Sequence, residues 1–100
     1  MRMYILIRED VPLGLAITAA AHASLACYLK YQDTEEVASW LAGPFRKVVC
    51  RVSAGEFEKA KGEKEFVVLT ESALEGAETA IAFKPRVEWP KYFKYFRLFK

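Results

Sequence analysis

The 100-residue sequence has one histidine, His22, and two cysteines, Cys27 and Cys50, that fall into no metal-ligand spacing. A zinc site built from protein ligands is therefore not expected, and neither is any other cofactor. Charge is missing from Val11 to Leu29, a run long enough to raise the question of a bilayer span. Six alanines between Gly14 and Cys27, with Gly14, Thr18, His22 and Ser24, keep the run weakly hydrophobic, so no membrane partner is expected. A secretory signal ending at Cys27 is disfavoured because Glu9 and Asp10 lie where such a signal is free of acids. The expected location is the cytoplasm, where two buried thiols stay reduced. Internal repeats and low-complexity linkers are also missing, which leaves one domain over residues 1–100.

What is present is a strongly patterned chain. Met3–Ile7 is a short apolar run of strand formers that ends in Arg8, Glu9 and Asp10. The turn after it leads into a helix over Gly14–Tyr31. Leu15, Thr18, His22, Leu25, Ala26 and Leu29 share one face of that helix, and Ile17, Ala21, Ser24 and Tyr28 share a second, so burial over most of its circumference is expected. His22 then reads first as a packed core histidine.

Asp33 or Thr34 caps a second helix, with Val37, Trp40 and Leu41 as its inner stripe and Gly43-Pro44 as its stop. Lys47–Val52 alternates as a strand, and Ser53 caps a short helix that points Phe57 and Ala60 inward. Phe66–Thr70 and Thr79–Phe83 form a hairpin. The order of elements predicts an α/β fold, a three-layer α/β/α domain around a mixed sheet of about four strands. A site is expected beyond the carboxyl end of the first strand, at Arg8, Asp10 and the first helical turn.

The net charge of +2 hides an asymmetry. Lys84–Lys100 carries six Lys or Arg against the single acid Glu88, a local +5 that leaves about −3 elsewhere. Trp89, Phe93 and Phe96 fall at helical spacing there, beside a stripe of Lys91, Lys94 and Arg97. Such a tail suits either a nucleic-acid surface or a helix with one dry face and one wet one, the dry face being a possible homodimer contact.

The order of these features resembles the second, archaeal and eukaryotic type of peptidyl-tRNA hydrolase. The likeness rests on Arg8-Glu9-Asp10, the Ala21-His22-Ala23 step, the Val-rich second strand, Thr79-Ala80-Ile81-Ala82-Phe83 before Pro85, and the closing Phe96–Lys100. It implies cleavage of the ester between peptide and tRNA, with Glu71, Thr79 and Asp10 as catalytic groups and Arg8, Gly14, Thr18 and His22 as binding groups. Lys84, Arg86, Lys91, Lys94 and Arg97 would form a surface for tRNA or a partner. The lead-in to the long helix departs from the family: Leu13-Gly14-Leu15-Ala16-Ile17 is about two residues shorter and lacks the family's catalytic lysine. Three readings follow: a non-catalytic or altered member that binds a small ligand, RNA or protein; an ester hydrolase with a rearranged site; and a structural homodimer module.

Overall fold

The computed structural model describes all of residues 1–100. Its strands are β1 (Met3–Arg8), β2 (Lys47–Val52), β3 (Phe66–Glu71), β4 (Ala77–Phe83) and β5 (Arg97–Leu98), and its α-helices are α1 (Leu13–Tyr31), α2 (Glu35–Ala42) and α3 (Ala54–Ala60). The five strands form one sheet in the order β3-β4-β1-β2-β5. β1 and β2 are parallel, as a helical crossover requires, while β3 and β4 form the antiparallel hairpin and β4 also runs antiparallel to β1. The expected four strands become five because Arg97–Leu98 pairs with Cys50–Arg51 along the free edge of β2.

Each face of the sheet is covered. On one side Met3, Ile5, Ile7, Ala80 and Ala82 meet Ala16, Ala19, Ala23 and Cys27 of α1 and Val37 and Trp40 of α2. On the other, Tyr4, Leu6, Cys50, Val52, Ile81 and Phe83 meet Phe57 and Ala60 of α3 and Phe93 and Phe96 of the tail. This alternation of sides along each strand is the period-two signature of a sheet packed on both faces. The caps follow the sequence: the Thr34 hydroxyl accepts the Val37 amide, and Ser53 and Glu56 form a reciprocal capping box.

Three expectations are corrected. α1 is buried along one stripe only, while Leu13, Ile17, Leu25 and Leu29 remain 55–64% exposed. The reason is geometric: no further element lies outside α1, so its outer side has nothing to pack on. By length and mean hydropathy, 1.3, this helix is apolar enough to cross a bilayer, yet here its alanine stripe sits on the sheet. Leu41, placed in the inner stripe of α2, is instead 47% exposed.

The tail is not an α-helix. Lys91–Tyr95 makes a 3₁₀ turn after Pro90, and the chain then joins the sheet as β5. Phe93 sits at the centre, with Tyr4, Phe83, Trp89, Tyr92 and Phe96 rings around it at centroid separations of 5.0–5.3 Å. These rings complete the chain's own core, and Tyr95 and Leu98 are the large apolar groups the tail leaves open.

Small residues set how closely α1 approaches the sheet. Ala23 has no exposed surface, so Ala23→Leu forces extra volume into a filled contact. Urea unfolding is expected to show a loss of about 1–3 kcal/mol, whereas Ala21→Leu on the exposed face leaves stability within about 0.5 kcal/mol.

Candidate functional site

The topology gathers one group of residues at one end of the sheet. β1, β2 and β3 all end there, and β4 begins there, because β4 runs antiparallel to β1 with Ile7 opposite Ala80. Arg8 closes β1, Asp10 lies in the following turn, Gly14 and Thr18 belong to the first turns of α1, Glu71 ends β3, and Thr79 lies near the start of β4.

Gly14 apart, each of these residues has its side chain engaged. The Arg8 guanidinium donates to both Asp10 carboxylate oxygens, at 3.3 and 3.1 Å, and lies 5.8 Å from the centre of the Phe57 ring. The Glu71 carboxylate accepts the Ala73 amide at 3.3 Å and so caps a 3₁₀ turn over Ser72–Leu74. That turn closes through Glu75 and Gly76, both at positive φ, +56° and +79°. Two successive left-handed residues make a tight connection, and glycine accepts that conformation at little cost.

Thr79 is the bulged residue of the hairpin. Leu69 pairs with Ala80 and Thr70 with Glu78, so the ladder passes over it. Its hydroxyl donates to the Leu69 carbonyl at 3.3 Å, and the residue is 1% exposed. The Thr18 hydroxyl, which is exposed, donates back to the Gly14 carbonyl at 3.3 Å. Gly14 has open space where a side chain would be. Arg8, Asp10, Glu71 and Thr79 line none of the five main cavities.

His22, expected in the core, is exposed on α1, one turn beyond Thr18. The basic residues of the tail do not act together. Lys84 is 6% exposed and bridges Glu65 at 2.7 Å and Glu36 at 3.4 Å. Arg86 is half-buried, pairs with Glu63 and lies over Trp89. Lys94 shares a cleft with Arg2, Tyr4 and Trp89. All three sit toward the end of the sheet where β1 begins, opposite to Arg8, while Lys91 is exposed on the 3₁₀ turn. Arg97 alone reaches the other end, donating to Glu9 at 2.7 Å.

Sequence reasoning missed Arg51, which lies across from Arg97, and Glu9 as Arg97's partner. The alternation of Lys47, Val49 and Arg51 placed Arg51 on one face of its strand, but the pairing of β5 with that strand had no local signal.

A family model for peptidyl-tRNA hydrolase PTH2 matches residues 1–88. The chain belongs to this family. No individually curated protein matches the chain at a significant level. The matched residues do not include Trp89–Lys100, the aromatic tail that helps fill the α3 side of the core.

Burial decides the chemistry of the two thiols. It pushes Cys27 up to about 12 and Cys50 up to about 11, so both stay protonated and unreactive near neutral pH. Iodoacetamide at about pH 8 is expected to leave both unmodified in the folded chain and to label both once urea unfolds it. Mass spectrometry reads the difference.

Lys84 and Tyr92 also contribute to the fall of stability at alkaline pH. The hydrogen bond that Lys84 donates to Glu65, with a second to Glu36, raises the pKa of Lys84, and burial raises that of the Tyr92 phenol. The folded chain then holds both protons more tightly than the unfolded one. Their contribution to stability is complete below about pH 10 and disappears as pH rises through the folded values. Lys84→Met and Tyr92→Phe are each expected to flatten the alkaline fall in unfolding free energy.

Proposed function

We propose that this member of the peptidyl-tRNA hydrolase family binds RNA at the end of the sheet where β1, β2 and β3 finish, and does not hydrolyse the peptidyl ester. The observation that carries the reading is the state of the polar groups at that edge. Asp10 is held by Arg8, Glu71 by the Ala73 amide, and Thr79 is buried against the Leu69 carbonyl. The first turn of α1, Leu13–Ala16, is without a lysine. Ester hydrolysis needs an activated water and donors for the developing oxyanion, and loss of one such donor costs about 10²-fold or more. Here neither requirement is met by a free, converging set.

Near this edge Arg51 has no acid partner, and Arg8 and Arg97 are paired with the exposed acids Asp10 and Glu9; these three guanidinium groups support a role in holding phosphate. A second reading keeps the hydrolase, with Glu71 as the base, Arg8 as the charge stabiliser, and Thr79 together with either Asp10 or His22 in place of the missing groups. It is favoured by the meeting of Glu71, Thr79 and Arg8 at one end of the sheet. The protein is read as cytoplasmic, with two free, buried cysteines in support.

Equilibrium binding of tRNA across salt concentrations tests the RNA-binding half. The affinity is expected to fall steeply and linearly on a logarithmic scale, as phosphate contacts require, and to weaken about three-fold or more in Arg8→Gln. An affinity that ignores both salt and Arg8→Gln rules it out.

A further inference from the structure

Val49 and Arg51 point from β2 toward the α1 side of the sheet. β5 brings Arg97 directly opposite Arg51 in the ladder, and the Phe99 amide then donates to the Val49 carbonyl at 2.9 Å. Like charges facing each other across strands destabilise the pairing unless something answers them. Glu9 answers only Arg97. Arg51, half-buried, has no acid partner and no side-chain hydrogen bond within the chain, and its guanidinium lies over the Phe99 ring at 4.5 Å. Stacking occupies the face of a guanidinium and leaves its in-plane N–H groups free for an acceptor.

Arg51, Arg97, Leu98 and Lys100 line a cleft of about 400 Å³. No acidic side chain pairs with Lys100 either, so among the side chains three cations face the single acid Glu9. Beside this cleft, Ala16, Ile17, Ala20, Val49 and Phe99 line a second one of about 260 Å³ that is wholly apolar. The two clefts meet through one contact: Arg51, which lines the basic cleft, lies over the ring of Phe99, which lines the apolar one.

We propose that the two clefts form one binding site for a phosphate ester. The phosphate lies among Arg51, Arg97 and Lys100, and the apolar or flat group it carries rests on Phe99, Val49 and Ile17. Three cationic donors around a small opening suit a tetrahedral dianion with several acceptor oxygens, for which guanidinium forks are well shaped. The source of the phosphate rests on the RNA-binding reading: one nucleotide of a strand, its base against the Phe99 ring. The apolar cleft offers no side-chain hydrogen bond to a base edge, so the site accepts any base.

The test is an NMR titration of the intact chain at low salt with adenosine monophosphate, octyl phosphate and inorganic phosphate. Adenosine monophosphate is expected to shift the Ala20, Val49 and Phe99 amides, and inorganic phosphate, filling only the basic half, to bind about ten-fold more weakly. Arg51→Gln is expected to weaken adenosine monophosphate about ten-fold, and Lys94→Gln, at the opposite end of the sheet, to leave it unchanged. An unchanged amide spectrum elsewhere shows that the variant remains folded. Adenosine monophosphate binding more tightly than octyl phosphate supports a nucleotide, and the reverse order overturns that source. Silence of these amides toward both esters, or wild-type binding by Arg51→Gln, overturns the site itself. Ester binding without tRNA binding counts against the RNA-binding reading alone, and tRNA binding without ester binding counts against the site alone.

Discussion

The seat of α1 on the sheet is the contact on which the other features depend. Ala16, Ala19, Ala23 and Cys27 form a stripe of small side chains, so the helix axis lies close over β1, β4 and β3. Larger residues there would lift the helix and open the layer. This closeness fixes the start of α1 beside the carboxyl end of β1, the edge proposed to bind RNA. It also leaves β2 and β5 at the margin of the helix layer, and the apolar cleft between Ala16, Ile17, Ala20, Val49 and Phe99 opens along that margin.

The opposite face is closed in another way. α3 is only seven residues long and covers part of the sheet, and the aromatic tail supplies the remainder by packing Phe93 and Phe96 against Tyr4 and Phe83. One segment beyond the family match therefore completes the core and, a few residues later, adds a fifth strand that carries Arg97 next to Arg51. Stability and the charged cleft are coupled through the same twelve residues.

Much of the fold was legible because periodicity follows from which face is buried. The β1 run, the hairpin, the Thr34 and Ser53 caps and the parallel β1–β2 pair could all be read from spacing and turn residues. What could not be read depends on neighbours remote in sequence. The apolar outer face of α1 has the same composition whether or not something covers it, so His22, Ile17 and Leu25 looked buried and are exposed. Lys84 looked like surface charge, and is enclosed because Glu36 and Glu65 arrive from two other elements. Only the family resemblance singles out Thr79, at the start of its strand, and its bulge and its bond to Leu69 arise from the register of the hairpin.

The family fold is thus retained around an edge whose acid, hydroxyl and carboxylate groups serve local structure. That state is tested most directly by single-turnover release of the blocked amino acid from N-acetyl-aminoacyl-tRNA, with protein in excess and at low salt. If the edge is non-hydrolytic, release from the bound complex proceeds at the rate seen without protein. Release about a hundred-fold faster, abolished in Glu71→Ala while tRNA binding persists, contradicts it.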